Sequence, residues 1–439
     1  MIKAFVRRLT PWPIISFYHR LLAELAAVVY GHPSEKLIVI GVTGTNGKST
    51  TTSFIGQILE HAGHRVGWTS TATIKVADKE WPNDRKMTML GRFQLQKLLK
   101  EMVGAGCEYA IIETSSQGIV QHRHVGINYD VVVFTNLTPE HIESHGGFGN
   151  YKQAKLELFK HLSRRRHKVN PSLKDGLGLI PKVMVVNGGD PHAKDFLACE
   201  ADRKIAFEVD ENLQLTESGA SFMALGVEMD LPIPGRFNVE NALAAVSVAM
   251  ALDVPIPIIK DAVVHLRSVP GRFERIDEGQ TFTVIVDYAY EPAALQKIFD
   301  AVLAVPGGRL IHVLGGCAGG RDVARRGIMG RMSGNTADIC VVTNEDPYDE
   351  DPMQIIHQVA DGARETGKKD DQDLFIVADR AEAIKKAIAM ARPHDVVLIT
   401  GKGSEPVMAV AHGKLVPWDD RVEARKAIHA LWTSPNSSN

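Results

Sequence analysis

The chain has 439 residues, of which 44% are hydrophobic and 23% charged. That is the make-up of a folded protein of two or three domains, and it excludes a disordered chain, a collagen and a polytopic membrane protein. Fifty basic and 52 acidic residues give a net charge of −2, so no overall field points to nucleic acid or a membrane as partner. Cys107, Cys199, Cys317 and Cys340 are scattered with no CxxC, which argues against a disulfide framework or a structural zinc site and for a reducing cytoplasm.

At the N-terminus Lys3, Arg7 and Arg8 precede an apolar stretch from Leu21 to Tyr30. Glu24 interrupts it and His19 and Arg20 stand at its head, so it does not read as a signal peptide, and no run of about 18 uncharged apolar residues follows. The pattern predicts a helix from about Ile14 to Tyr30 packed on the body. An interfacial helix touching a membrane is the rarer alternative, suggested by Trp12 and the basic residues. From Leu37 onward short apolar runs alternate with helical stretches. Strands are expected at Leu37–Gly41, Tyr109–Glu113, Asp130–Thr135 and Val183–Asn187, the pattern of a parallel sheet with crossover helices. The basic run Arg164, Arg165, Arg166 and Lys168 reads as a solvated face of a surface loop over 164–181.

A second alternating set begins near Phe273. Strands are expected at Val284–Asp287, Leu310–Leu314, Ile339–Thr343, Leu374–Val377 and Val396–Thr400. Helices are expected near Pro292–Val305, Asp351–Glu365, Arg380–Ala391 and Arg421–Leu431. Two α/β domains follow, with a linker at Arg267–Gly271. The tail from Thr433 reads as disordered.

The strand at Ile38–Ile40 runs into Gly41-Val42-Thr43-Gly44-Thr45-Asn46-Gly47-Lys48-Ser49-Thr50 and then a helix. Glycines there let backbone N–H groups face an anion, and the helix N-terminus adds a favourable dipole. Lys48 can reach terminal phosphates and the Ser49 hydroxyl can ligate Mg²⁺. Val42 stands where strict Walker spacing has glycine, so this is a variant phosphate loop. Glu113-Thr114-Ser115-Ser116 follows a strand, and Thr135 to His145 follows the next. Glu113 and His141 are candidate ligands of a hard divalent cation or its water. His141 as a plain loop histidine and Lys155 as a solvated helix residue are the alternatives that the residues alone leave open.

The string Gly44-Thr45-Asn46-Gly47-Lys48-Ser49-Thr50 resembles the Mur ligases, which join an amino acid to a carboxylate through an acyl phosphate made with ATP. The strings from Glu113 to Arg123 and from Phe134 to Lys155 resemble, within that family, the ligases that add the third stem-peptide residue to UDP-N-acetylmuramoyl-L-alanyl-D-glutamate. The resemblance implies an α/β fold: a P-loop parallel-sheet central domain over 37–269, then a Rossmann-like C-terminal domain over 270–432. Residues 1–36 form a helical extension and 433–439 a tail. It implies ATP bound by Gly44 to Thr50 with Asn241, Arg272 and Asp287. It also implies two Mg²⁺ ions held by Ser49, Glu113, His141 and a carbamate on Lys155. Lys48, Glu113, His141 and Lys155 carry the catalysis in this reading, and Ser115, Gln121 and Arg123 contact the acceptor.

In the C-terminal part the resemblance gives Arg326 the carboxylate of the incoming amino acid. In Gly401-Lys402-Gly403-Ser404-Glu405 it pairs Glu405 with the amino group of a diamino acid and makes Gly401 a substrate-binding candidate. Glu345-Asp346-Pro347-Tyr348 stands where enzymes specific for meso-diaminopimelate carry Asp-Asn-Pro-Arg, which leans toward L-lysine. Tyr290 and Ser404 stand where the family has histidine, and Glu140-His141-Ile142-Glu143 replaces Asp-His-Leu-Asp. Met87-Thr88-Met89 replaces the Thr-Thr-Pro that touches the muramoyl part, which makes Thr88 a substrate-binding candidate. Thirty-six residues before the first strand are too few for the family's UDP-binding domain.

The expected activity is therefore ATP-dependent, ADP-forming addition of a diamino acid to the D-Glu of a UDP-N-acetylmuramoyl-dipeptide, in peptidoglycan precursor synthesis. The expected partners are small molecules, without nucleic acid, in a cytoplasmic monomer. Alternatives are a related ligase on another acceptor such as a polyglutamate or storage peptide, a non-catalytic ATP-binding subunit, and a P-loop switch or transport ATPase.

Overall fold

The computed structural model describes residues 11–85, 87–139, 145–169, 178–304, 307–319 and 323–433. Contacts divide the chain into two units, Met1–Gln214 with Ser218–Arg267, and Leu215–Glu217 with Ser268–Asn439. The expected tail lies outside the described residues, apart from Thr433, which ends the last helix.

The first unit is built on strands β1 (Ile38–Thr43), β2 (Val66–Thr69), β3 (Thr73–Val76), β4 (Lys79–Pro82), β5 (Tyr109–Glu113), β6 (Val131–Phe134), β7 (Val183–Asn187) and β8 (Arg203–Phe207). They form one sheet in the order β4-β3-β2-β5-β1-β6-β7-β8. The strands from β2 to β8 run parallel, and β3 and β4 are added antiparallel at one edge. The sheet is thus mixed where sequence periodicity indicates a parallel one. The edge strand β4 is exposed along its length, so no hydrophobic alternation advertises it.

The parallel strands read as continuous Val/Ile runs because helices cover both faces. Ile40, Val42, Ile111 and Val133 pack on one side with helices Lys48–His61 and Arg236–Ala251. Val39, Ile112, Val132 and Phe134 pack on the other with Phe148–Arg164. Gly41 sits where a Cβ would lie 2.8 Å from the Tyr129 ring, so only glycine lets that buried ring lie on β1. A small sheet holds β9 (Gln214–Leu215), β10 (Ala220–Ala224) and β11 (Val227–Leu231); β10 and β11 pair antiparallel and pack Phe222 and Met229 with the buried face of the helix Arg236–Ala251.

Lys168 corrects the sequence reading of a solvated basic run. It is buried, and its Nζ lies 2.5 Å from Asp130 Oδ2, while Lys182 Nζ lies 3.1 Å from Asp130 Oδ1. Two cations share one carboxylate that also accepts from Val39 N at 2.9 Å. The group pins the amino ends of β1 and β6, away from the strand ends that bear the phosphate loop.

The second unit holds β12 (Glu274–Ile276), β13 (Thr283–Asp287), β14 (Leu310–Leu314), β15 (Ile339–Thr343), β16 (Leu374–Val377) and β17 (Val396–Thr400), in the order β12-β13-β17-β14-β15-β16. All pairs are parallel except β12 with β13. Helices Arg380–Met390 and Asp420–Thr433 pack Ile384, Ile388, Ala424 and Ile428 on one face. A hairpin of β18 (Val407–Val410) and β19 (Lys414–Pro417) follows β17.

Candidate active site

Three adjacent strands of the first unit, β5, β1 and β6, end beside one another. Groups for chemistry gather at such carboxyl ends in open α/β sheets. β1 ends at Thr43 and the loop turns through Gly44 and Gly47. Gly47 has φ +80° and caps the helix Lys48–His61. A Cβ on Gly44 would fall 1.9 Å from Thr135 Oγ1, and one on Gly47 would fall 2.2 Å from Asn241 Oδ1. Both positions therefore exclude side chains, and the N–H groups of the first helical turn have no intrahelical partner by geometry. Such a turn suits the oxygens of a phosphate chain.

The loop is held from β6. Thr45 N donates to Asn136 O at 2.8 Å and Asn46 N to Asn136 Oδ1 at 2.9 Å. Thr135 Oγ1 donates to Asn46 O at 2.6 Å, and Thr45 Oγ1 lies 3.1 Å from Tyr151 Oη. Lys48 Nζ donates to Thr45 O at 2.7 Å. Thr50 is buried in the first helical turn, and Asn241 Oδ1 accepts from Thr51 Oγ1 at 3.2 Å.

Glu113, the last residue of β5, is 1% exposed. Its Oε2 accepts from Ser49 Oγ at 2.8 Å and Thr71 N at 2.6 Å, and its Oε1 from Thr71 Oγ1 at 3.1 Å. This carboxylate beside a loop hydroxyl is a hard oxygen set of the kind Mg²⁺ takes. Lys155 comes from the helix Phe148–Arg164 and is equally buried. Its Nζ donates to Gly44 O at 2.5 Å and stands 4.4 Å from the Tyr151 ring centroid. Loop, Glu113 and Lys155 thus converge. His141 lies outside the described residues.

The acceptor candidates lie one turn beyond β5. Ser115 caps the helix Ser116–Val120 by accepting from Gly118 N at 3.2 Å. Gln121 Oε1 accepts from Arg123 Nη2 at 2.7 Å, and Arg123 also donates to Met89 O. Burial holds the Arg123 guanidinium below its ordinary pKa. Arg92 donates to Gln121 O. Thr88 Oγ1 lies 3.1 Å from Thr71 Oγ1, which links it to Glu113 through one residue.

In the second unit, Arg272 lies over the Tyr288 ring at 4.2 Å. Asp287 ends β13 and accepts from Phe273 N and Ala289 N, both at 2.6 Å. Burial pushes its pKa up, against the pull of Arg272. Lys402 is fully buried. Its Nζ meets Asp346 Oδ1 at 2.9 Å and Glu405 Oε2 at 2.5 Å, and Glu405 Oε1 accepts from Tyr288 Oη at 2.8 Å. Glu345 is also buried, which raises its pKa. A Cβ on Gly401 would fall 2.3 Å from its Oε2. Pro347 is buried, and Tyr348 follows at φ +49° with its ring against Gly319. Arg326 is buried, donating to Gln358 Oε1 at 2.7 Å and Glu350 Oε2 at 2.8 Å.

Three contributors escaped the sequence reading. Thr71 holds Glu113 with both backbone and side chain, but a loop threonine carries no signal. Tyr151 and Lys402 lay inside strings already singled out, and only the fold shows Tyr151 on Thr45 and Lys402 between two acids.

A phosphate loop with a carboxylate and a lysine at the ends of a parallel sheet, followed by a second α/β unit, defines a nucleotide-using α/β enzyme. The sequence matches the Mur ligase middle domain over residues 42–249 and the Mur ligase glutamate ligase domain over residues 271–403. It is 38% identical to the UDP-N-acetylmuramyl-tripeptide synthetase of Roseiflexus sp. (strain RS-1), over 93% of this chain and 82% of that protein. It is 36% identical to the UDP-N-acetylmuramoyl-L-alanyl-D-glutamate–2,6-diaminopimelate ligase of Geobacillus kaustophilus, over 95% and 84%. A solved structure of a ligase of the latter name superposes with a TM-score of 0.61 at 28% identity, covering 94% of this chain and 84% of that one. The chain belongs to the Mur ligase family. It is an ATP-dependent, ADP-forming ligase, with ATP and Mg²⁺ as cofactors.

Proposed function

We propose that the enzyme joins a diamino acid to the D-Glu carboxylate of a UDP-N-acetylmuramoyl-dipeptide, a step in peptidoglycan precursor synthesis. The observation that carries this reading is the convergence of Ser49, Glu113 and Lys155 on the Gly44–Thr50 loop. The names of the relatives supply the acceptor.

Gly44 to Thr50 cradle the β- and γ-phosphates, with Lys48 turning from the Thr45 carbonyl to the γ-phosphate. Asn241, Arg272 and Asp287 bind the rest of the nucleotide. Ser49 and Glu113 would hold one Mg²⁺, and Glu113, His141 and a carbamate on Lys155 would hold a second. The carbamate forms from the neutral amine and CO₂ with loss of one proton, and it replaces a buried cation by an anionic oxygen ligand. Bound Mg²⁺ neutralises phosphate charge and polarises the γ-phosphoryl group.

The acceptor carboxylate, oriented by Ser115, Gln121, Arg123 and Thr88, attacks the γ-phosphorus; the P–O bond to ADP breaks and an acyl phosphate forms. The amine of the incoming amino acid then attacks the acyl carbon. It loses a proton and expels inorganic phosphate. Arg326 takes that amino acid's carboxylate, as its planar fork suits. Glu345, Asp346, Pro347, Tyr348, Gly401 and Glu405 line its distal end, where acidic groups fit a second ammonium. The reaction runs in the cytoplasm, with the monomer as working unit.

The test is phosphate release with ATP and UDP-N-acetylmuramoyl-L-Ala-D-Glu, scanned over L-lysine, L-ornithine and meso-diaminopimelate. Release that requires both the acceptor and one diamino acid is expected. Release without an amino acid, or none with this acceptor, would overturn the reading.

A further inference from the structure

The helix Trp12–Val29 is mounted with its bulky apolar face outward. Ala23, Ala26 and Ala27, at i, i+3 and i+4, are its buried residues. They rest so closely on the body that a Cβ on Gly126 would fall 2.7 Å from Ala23 O and 3.1 Å from the Ala27 Cβ. Ser16 Oγ lies 2.7 Å from His122 Nε2 on the same side, which fixes the helix in this rotation. The opposite face carries Ile14, Phe17, Tyr18, Leu21, Leu25 and Val28, all exposed, Phe17 by 68% and Val28 by 61%. At 100° per residue these six fall in one arc with no charged residue inside it, in a row about 20 Å long. An ordinary surface helix turns such a row to the core. A contiguous exposed apolar surface of this kind marks an interaction site.

The charge of the N-terminal sequence says what covers it. Residues 1–36 contain Lys3, Arg7, Arg8, Arg20 and Lys36 against Glu24 and Glu35, whereas the whole chain has a net charge of −2. Tyr18 stands beside Phe17 on the outward face, and Trp12 is exposed at the helix start, about 120° round from Tyr18; tyrosine and tryptophan settle at a lipid headgroup boundary. Apart from the Tyr18 hydroxyl, the row offers a protein partner no polar group to address. No described helix is long and apolar enough to cross a membrane.

We infer that the outward face of Trp12–Val29 seats the enzyme on an anionic membrane surface, the helix lying in the interface plane. Apolar burial and attraction to anionic lipid act together in such helices.

The test is flotation of the full-length protein with vesicles of phosphatidylcholine alone and with phosphatidylglycerol added. It uses the wild type and a Phe17→Glu, Leu21→Glu, Leu25→Glu variant. All three positions face solvent, so the fold and the ligase activity are expected to persist, checked by thermal melting and phosphate release. The wild type is expected to float with the anionic vesicles, more weakly at high salt, and the variant to lose at least about tenfold in partitioning. Failure of the wild type to float would overturn the inference, as would equal flotation of the variant. So would sedimentation showing self-association that the three substitutions abolish without any vesicle binding, since a second copy would then be the occupant.

Discussion

The Lys155 ammonium donates to the Gly44 carbonyl at 2.5 Å, joining the helix after β6 to the phosphate loop across 111 residues of sequence. A buried lysine at that point can bear on the loop's ligand in a way a solvated one cannot. Lys155→Ala is expected to cut ligation by at least about 100-fold, the scale seen when a group acting on developing charge is removed. The thermal transition is followed alongside. Wild-type activity is expected to fall in CO₂-depleted buffer and return with bicarbonate; full activity without bicarbonate would remove the carbamate from the account.

Glu113→Gln keeps the shape of the side chain while removing its charge and one of its two acceptor oxygens. The apparent Mg²⁺ requirement should rise roughly 10- to 100-fold. Titration of phosphate release against Mg²⁺ measures it. Thr71→Ala should move the same curve less, because it takes one of three donors from the carboxylate.

Gly44→Ala places a methyl 1.9 Å from Thr135 Oγ1 and 3.1 Å from Asn136 N. The expected cost is about 1–3 kcal/mol of stability, as for other overpacked sites, together with loss of ATP binding. Gly104→Ala is the control. No atom lies within 4 Å of its Cβ position, and it ends the helix Arg92–Gly104, so no loss is expected. Chemical denaturation and nucleotide titration of both variants separate the effects.

His312 is buried in the second unit, its Nδ1 2.9 Å from Ser333 Oγ and its Nε2 2.9 Å from Thr400 Oγ1. Burial, aided by Arg380, lowers its pKa to about 3. The folded ring is therefore neutral while the unfolded ring titrates near the ordinary value of about 6.5. Stability from this group is intact above about pH 6.5 and is lost as pH falls from there toward 3, by at most roughly 1.4 kcal/mol per pH unit. His161 does the same in the first unit, with a pKa lowered to about 4. Denaturant midpoints at pH 7 and pH 5 should differ less in His312→Gln than in the wild type.

By the family resemblance, Tyr348 stands where diaminopimelate-adding enzymes are expected to carry an arginine for the distal carboxylate. Tyr348→Arg should raise the preference for meso-diaminopimelate over L-lysine by about tenfold or more, a change of about 1.4 kcal/mol. The ratio of kcat/KM for the two amino acids reports it, and an unchanged ratio would place the specificity elsewhere.

The phosphate loop and Glu113 were legible in sequence because strand, glycines, Lys48-Ser49 and helix lie within one local segment. The parallel strands were legible because burial on both faces leaves unbroken Val/Ile runs. What could not be read is pairing over distance. Lys168 looked solvated in a basic run, yet its partner Asp130 lies 38 residues earlier. Lys402 gave no sign that it would meet Asp346, 56 residues away. The outward face of Trp12–Val29 was equally hidden, since periodicity shows that a helix has an apolar face but not which way the body turns it. The antiparallel edge β3–β4 lacked alternation because water covers β4.

The most direct measurement is the mass of the product formed from ATP, UDP-N-acetylmuramoyl-L-Ala-D-Glu and a diamino acid. The account predicts one new species heavier than the acceptor by the amino acid less one water, with one ADP formed per product. ATP consumption with the acceptor mass unchanged would contradict it.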